Sequence, residues 1–203
     1  PRPCELSLPE TYDHGEIPLV DLDAPTAQAD LAAGLAALGF VELTNHGLDA
    51  EVMADLRGAA DAFFDLPQER KARCVHPEPL ANRGFRARGS EALADSLGET
   101  TPPDLFESFN AGADRPADGW SDLVQPTPWP DADVPSYRPA AHAALAAFNR
   151  LGARLDSMLA DELGVADLAR ATAGPDMLAC IDYRPSPDGS EVTVDGQLRM
   201  GAH

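Results

Sequence analysis

The sequence has 203 residues, of which 44% are hydrophobic and 24% charged, values typical of a soluble globular domain. Its 34 acidic and 15 basic residues give a formal net charge of −19, which excludes nucleic acid and anionic membranes as expected partners, because both would repel the chain. The cysteines number three and form no Cys-x-x-Cys pair, so no disulfide framework is predicted and a reducing, cytoplasmic location is expected.

The N-terminal part of the chain predicts short strands alternating with helices. Residues 17–22 form an apolar extended segment that Pro18 confines to the edge of a sheet. Pro25 suits the first turn of a helix, and Gly39 ends that helix. The helix carries an apolar stripe of Leu31, Leu35 and Leu38. Residues 40–44 alternate apolar and polar side chains, which predicts a half-buried strand.

A polar turn and two further helices follow this strand. His46 lies in the Asn-His-Gly turn and is interpreted as a structural residue with a hydrogen bond in the turn. Asp49 is a plausible N-cap of the next helix. The predicted buried side of that helix consists of Val52, Leu56, Phe63 and Phe64. Residues 66–71 start another short helix.

Residues 75–135 are rich in Pro, Gly and Asp and show little periodicity, so a long loop region is predicted, of the functional or the disordered type. A long helix is expected from Ser136 to Leu163, where Gly164 stops it. Its apolar stripe consists of Leu145, Phe148, Leu155, Leu159 and Leu163. The pattern then changes to period two, which predicts a strand over residues 177–183, followed by a Pro/Gly loop and a hairpin at Asp195-Gly196.

Three segments together resemble one known family. Residues 17–22 (IPLVDL), 39–48 (GFVELTNHGL) and 63–71 (FFDLPQERK) are similar, in order and separation, to the N-terminal domain of the isopenicillin N synthase-like non-haem iron, 2-oxoglutarate-dependent oxygenases. Trp129-Pro130-Asp131 resembles the tripeptide that precedes the long helix of that family.

The resemblance implies an α+β chain with a mostly β core. The expected fold is a double-stranded β-helix, a jelly-roll barrel of the cupin-like type flanked by helices, of which the sequence holds the first part. The expected regions are an N-terminal region over residues 1–135, a long helix and connector over 136–173, and the first barrel strands over 174–203. Because such a barrel needs about eight strands, the natural chain is expected to continue for at least roughly another hundred residues.

The resemblance makes His203 the first histidine of a His-x-Asp…His iron site. Two histidines and one carboxylate leave open positions on Fe(II) for 2-oxoglutarate and O₂. Histidine and aspartate two residues apart on a strand point to the same side, since side chains alternate. Gly201 and Ala202 precede His203 and leave room for a metal. Without the resemblance, a terminal histidine would be interpreted as a frayed end or a tag remnant.

The resemblance also identifies a candidate for the co-substrate site. Tyr183 lies in a segment similar to the Tyr-Pro-Pro-x-Pro motif of the family, with Arg184 in place of the first proline. Its hydroxyl is expected to bond a carboxylate oxygen of 2-oxoglutarate. The alternative is a strand tyrosine whose ring lies in the core.

Candidate substrate contacts come from two segments of the predicted loop region. Arg83, Arg86 and Arg88 cluster beside Phe85, and a guanidinium can hold a substrate carboxylate in a bidentate pair. The alternative is a solvated loop with internal ion pairs. Glu107, Ser108 and Phe109 are further candidates for the pocket wall.

The expected function is therefore an Fe(II)- and 2-oxoglutarate-dependent oxygenase. In the family, 2-oxoglutarate is converted to succinate and CO₂ while a C–H bond of a small organic substrate is hydroxylated, desaturated or used for ring formation. Two alternatives stay open: an isopenicillin N synthase-type oxidase that uses no 2-oxoglutarate, and a non-catalytic small-molecule-binding protein on the same fold. The sequence does not decide the substrate or the oligomeric state.

Overall fold

The computed structural model describes residues 17–78, 81–92, 98, 101–114, 125–165, 176–185, 194 and 197–200. In chain order its elements are β1 (Leu19–Asp21), α1 (Ala27–Leu38), β2 (Glu42–Thr44), α2 (Ala50–Phe64), α3 (Gln68–Lys71) with a 3-10 turn (Ala72–Cys74), β3 (Gly84–Arg86), β4 (Glu107–Gly112), α4 (Tyr137–Leu163) and β5 (Met177–Asp182). None of the described helices is long and apolar enough to cross a membrane.

The chain divides into two compact units. The first consists of Pro1–Ala50 and Ala146–Ala171, and the second consists of Glu51–Leu145 and Thr172–His203. In the first unit β1 and β2 pair in parallel. The core of this unit contains the buried residues Val20, Leu22 and Leu31, against which Leu35, Val41, Leu43, Leu151, Leu155, Met158 and Leu159 pack.

The predicted features of the first unit are largely confirmed. Gly39 ends α1, and its N–H donates to the carbonyl of Leu35 at 2.8 Å. Helix α1 begins at Ala27, so Pro25 lies just before the helix and not in its first turn. The turn role of His46 is confirmed, because the backbone N–H of Leu48 donates to His46 Nδ1 at 3.0 Å.

The second unit contains an antiparallel sheet with the order β3-β4-β5. The prediction of a continuous loop over residues 75–135 is wrong, because β3 and β4 both lie in this range. Strand β4 is the middle strand, and all six of its residues are buried. Residues 108–111 do alternate polar and apolar side chains, but the run is short, and its polar positions are as buried as its apolar ones.

An aromatic cluster forms the core of the second unit. Phe109 lies at its centre, with ring centroids 4.9 Å from Phe63, 4.8 Å from Tyr137 and 5.8 Å from Trp129. Phe85 joins through Phe63 at 5.7 Å. These pairs are tilted or edge-to-face, and edge-to-face is an arrangement that aromatic quadrupoles favour. The cluster fixes the sheet against α2 and the start of α4.

The buried face of helix α4 differs from the predicted apolar stripe. Its first half packs with Tyr137, Ala141 and Ala144, each 0% exposed, whereas Phe148 is 38% exposed and Leu163 40% exposed. Small alanines allow the helix backbone to lie close to the aromatic rings. The buried face of α4 is therefore formed there by Tyr137 and alanines, whereas some large apolar residues of the predicted stripe are exposed.

Candidate active site

The sheet of the second unit has two chemically different faces. In register, Phe109 lies between Phe85 and Cys180, while Ser108 lies between Arg86 and Ile181. Because strand side chains alternate, the residues around Phe109 share the aromatic side, and those around Ser108 share the opposite side. We call this opposite side the polar face. It carries Arg86, Ser108, Asn110, Ala179 and Ile181.

Phe85 and Phe109, two of the predicted substrate contacts, belong to the aromatic side. They are 2% and 0% exposed and lie within the aromatic cluster. Their side chains pack in the core, on the side of the sheet opposite the polar face. Ser108 and Phe109, which are neighbours in the sequence, are therefore placed on opposite faces.

Glu107 also lies on the aromatic side, in a buried ion pair. Lys71 Nζ is 2.6 Å from Glu107 Oε1, and the two side chains are 6% and 7% exposed. The same ammonium donates to the carbonyl of Phe64 at 3.1 Å and lies 5.5 Å from the centroid of the Phe85 ring. Lys71 is the single lysine of the sequence, and sequence reasoning had attached no role to it. No local signal could reveal a partner 36 residues away.

The polar face contains a pair of amide side chains, of which Asn110 is buried and Asn82 is exposed. Asn110 Nδ2 donates to Asn82 Oδ1 at 2.7 Å, and Asn110 is 5% exposed. Ser108, 4% exposed, lies beside it on the same strand. Arg86, on the neighbouring strand, pairs with Glu91 at 2.6 Å. The face therefore presents hydroxyl, amide and charged groups, which are the groups that orient a polar ligand.

Arg83 is buried at the end of this face. Its Nη1 donates to the carbonyl of Asn82 at 3.1 Å and its Nη2 to the carbonyl of Asp176 at 3.5 Å, while its Nε has no hydrogen-bond partner in the part of the chain described here. A Cβ at Gly112 would lie 2.5 Å from this Nε, so glycine makes room for the guanidinium. Burial lowers the pKa of Arg83 from its ordinary value.

The three predicted arginines have different surroundings. Arg83 is buried at Gly112, Arg86 forms an ion pair, and Arg88 donates to the carbonyls of Leu105, at 3.0 Å, and Arg184. The structure thus separates the three side chains. Arg83 is the buried one of the three, and its described hydrogen bonds go to backbone carbonyls.

Tyr183 follows β5 at the other end of the sheet. Its ring lies 6.0 Å from that of Phe106, and it is 37% exposed, so the ring is not in the aromatic cluster. Its hydroxyl lies 3.3 Å from the sulfur of Met200, a weak hydrogen-bond acceptor. Its carbonyl accepts a hydrogen bond from Arg199.

Met200, the residue whose sulfur Tyr183 contacts, lies three positions before the predicted iron ligand in the sequence. His203 itself and the predicted hairpin at Asp195-Gly196 lie outside the described residues. Among the described ranges, no group of three or more His, Cys, Asp or Glu side chains could hold a metal.

The described thiols belong to the core. Cys180 packs against the aromatic cluster. Burial raises the pKa of Cys74 to about 11, with further contributions from Asp133 and Asp131. Burial also raises the pKa of Cys180 and, together with the neighbouring Cys180, that of Tyr137. None of these groups is therefore suited to act as a nucleophile at neutral pH.

The fold is similar to that of solved 2-oxoglutarate, Fe(II) oxygenases. A Caulobacter crescentus protein assigned to the 2OG-Fe(II) oxygenase family superposes with a TM-score of 0.64 at 21% identity, over 84% of this chain and 57% of that one. A full-length Neurospora crassa protein, solved in complex with alpha-KG, gives a TM-score of 0.61 at 23% identity, over 77% of this chain and 50% of that one.

The sequence comparisons identify the family. The model of the family described as non-haem dioxygenase in morphine synthesis N-terminal matches residues 17–132. The match covers more than half of the sequence, and the chain belongs to this family. Validamycin A dioxygenase of Streptomyces hygroscopicus subsp. limoneus is 32% identical, over 93% of this chain and 55% of that protein. The 2-oxoglutarate-dependent dioxygenase caaD of Aspergillus niger is 30% identical, over 73% of this chain and 48% of that protein. The chain thus spans about half the length of the curated relatives it matches.

Proposed function

We propose that this chain provides the N-terminal region and the first barrel strands of an Fe(II)- and 2-oxoglutarate-dependent oxygenase that oxidises a C–H bond of a small organic substrate. Family membership and the names of the relatives support the class of reaction. The fold proposed for the second unit is the beginning of a jelly-roll barrel, with β3, β4 and β5 among its strands.

The observation that carries the proposal is the contact between Tyr183 and Met200. It brings the predicted co-substrate residue to the segment that leads into His203. A sulfur atom is a weak acceptor, so the hydroxyl can donate to a carboxylate oxygen with little loss. Imidazole is a suitable ligand for iron, and these residue types therefore fit an iron site with a bound dicarboxylate.

The residues of the chain have separate roles in the proposed site. His203 would hold iron(II), and Tyr183 would bind one carboxylate of 2-oxoglutarate. When bound, the metal with 2-oxoglutarate and O₂ supplies the oxidising power for the C–H bond. Ser108, on the polar face, would orient the substrate through its hydroxyl, and Arg83 at the end of that face would attract an anionic group. The buried polar face would exclude water from the reacting atoms.

Small ring compounds are a reasonable substrate class for such a site. The Neurospora crassa protein has also been solved in complex with alpha-KG and thymine. The acidic balance of this chain, with a formal net charge of −19, argues against a nucleic acid polymer as substrate. The substrate proposed here is therefore a small molecule.

The full-length protein that contains this chain is expected to bind one Fe(II) and to convert 2-oxoglutarate to succinate when a substrate is present. Replacing His203 with Ala should remove most bound iron and most turnover, because one of three protein ligands is lost, while the fold persists on its own core. Iron content by atomic absorption and succinate by mass spectrometry measure both effects.

The control is His76→Ala, a histidine outside the proposed ligand set whose Nδ1 accepts a hydrogen bond from the backbone N–H of Glu78 at 3.0 Å. It should retain iron and turnover. Full iron content and activity in His203→Ala would refute the ligand assignment. Substrate-dependent O₂ consumption without succinate would instead favour the oxidase that uses no 2-oxoglutarate.

A further inference from the structure

The end of the sheet next to Tyr183 contains two carboxylates in direct register. Glu107 of β4 lies opposite Asp182 of β5, on the aromatic side of the sheet. Like charges directly opposite each other on paired strands are destabilising. Each carboxylate therefore needs its own cation, and the structure provides a different one for each.

Lys71 neutralises Glu107 in the buried ion pair, and Arg184 neutralises Asp182. Arg184 Nε lies 2.9 Å from Asp182 Oδ1 and 3.1 Å from Oδ2, and the backbone N–H of Arg184 donates to the same Oδ1 at 2.9 Å. Side chain and backbone of Arg184 thus converge on one carboxylate two residues earlier. Tyr183 is the residue between these two in the sequence.

Arg184 also reaches the end of helix α2. Its Nη1 lies 3.0 Å from Asp65 Oδ1, and Asp65 extends the helix through a hydrogen bond from its N–H to the carbonyl of Asp61 at 3.0 Å. We call the three residues Asp65, Arg184 and Asp182 the arginine clamp. The clamp links the C-terminal end of α2 to the end of β5. Asp182 and Arg184 are the two sequence neighbours of Tyr183.

The main chain at Tyr183 is held by two further arginines. Arg199 donates to the carbonyl of Tyr183, and Arg88 donates to the carbonyl of Arg184. Two successive carbonyls are therefore fixed from other parts of the chain. The Tyr183 side chain, in contrast, has as its described contacts the ring of Phe106 and the weak bond to the Met200 sulfur.

We propose that Arg184 is a positioning residue of the co-substrate site: through Asp182 and Asp65 it fixes the backbone of Tyr183, so that the hydroxyl is already placed for a carboxylate of 2-oxoglutarate. Fixing the group in advance reduces the entropy that is lost when the ligand binds. This inference rests on the proposed function.

The exposure of the Arg184–Asp65 pair helps to distinguish a positioning role of Arg184 from a purely structural one. The side chains of Arg184 and Asp65 are 47% and 66% exposed, and ion pairs this exposed contribute little to stability. Asp65→Asn, which opens only this exposed pair, should therefore change the unfolding midpoint by no more than about 2–4 °C. Its effect should appear at Tyr183 and in ligand binding.

The test uses ¹⁹F NMR of the full-length protein that contains this chain, labelled with 3-fluorotyrosine, in which Tyr183→Phe identifies the resonance of Tyr183. The wild-type protein is titrated with 2-oxoglutarate and Zn(II), a diamagnetic substitute for iron, and the Tyr183 resonance should shift saturably. In Arg184→Gln the resonance should be displaced or broadened before any ligand is added. The dissociation constant for 2-oxoglutarate should rise about tenfold, the order expected for one impaired hydrogen bond to a carboxylate.

Two further variants and a control complete the experiment. Asp65→Asn should give a smaller change in the same direction, and Arg184→Lys should recover part of the affinity because it keeps the charge but not the forked geometry. The control is Arg70→Gln, which removes another exposed ion pair of the same unit, with Asp133 at 2.8 Å. It should leave the Tyr183 resonance and the dissociation constant unchanged.

The possible contradictions are distinct. If Arg184→Gln keeps the wild-type resonance and dissociation constant, or if Arg70→Gln changes both equally, the positioning role is refuted while the proposed function stands. If the Tyr183 resonance of the wild-type protein does not respond to 2-oxoglutarate, the proposed co-substrate site is refuted, and the role of Arg184 falls with it.

Discussion

Replacing Lys71 with Met is expected to lower the free energy of unfolding by about 3–5 kcal/mol, because it leaves the carboxylate of Glu107 buried without a cation. The pair is 2.6 Å apart, and both side chains are almost completely buried. The loss of the bond to the Phe64 carbonyl adds an unsatisfied acceptor. Urea unfolding followed by circular dichroism measures the change.

The adjacent residue provides a matched control. Arg70 lies on the same short helix and pairs with Asp133 at 2.8 Å, but its side chain is 51% exposed. Arg70→Met should therefore cost at most about 1 kcal/mol. The double variant Lys71→Met, Glu107→Leu should recover much of the loss, because apolar residues can replace a buried ion pair. Equal small effects at positions 70 and 71 would contradict the burial of the pair.

Replacing Phe109 with Ala is expected to lower the free energy of unfolding by about 3–5 kcal/mol, the usual cost of deleting a large buried aromatic ring. Phe109 is 0% exposed and contacts Phe63, Trp129 and Tyr137. The cavity would lie at the centre of the aromatic cluster. Thermal and urea unfolding of the purified variant measure the effect.

An exposed residue of the same type is the control. Phe40 is 54% exposed, so Phe40→Ala should change stability by less than about 1 kcal/mol. The experiment also tests the sequence-based expectation that Phe109 contacts substrate. A stable Phe109→Ala variant with a raised KM for substrate would favour a pocket wall over the core.

Much of the helical architecture can be predicted from the sequence. Helix α1 ends at Gly39 as expected, and α4 covers the predicted range to within one residue at its N-terminus. These signals are local, since a capping residue adjoins the helix that it ends and a periodic stripe lies within the helix that it defines. The strand over residues 177–182 is likewise visible from period two.

The sheet and the site are less accessible to sequence reasoning, because they depend on distant partners. Strand β4 places Glu107, Ser108 and Asn110 in buried positions that polar residues ordinarily avoid. Lys71 and Asn82 make these positions possible, and nothing near β4 in the sequence indicates them. The resemblance to a family pointed to Tyr183, but not to the arginines around it.

The burial of Lys71 has a consequence for the amine chemistry of this chain. Because Lys71 is the single lysine of these 203 residues and is 5% exposed, this part of the folded protein presents almost no lysine side chain to reagents such as succinimidyl esters. Acylation at position 71 therefore requires the ion pair to open. The rate of that acylation, followed by mass spectrometry, should report how often the ion pair between Lys71 and Glu107 opens.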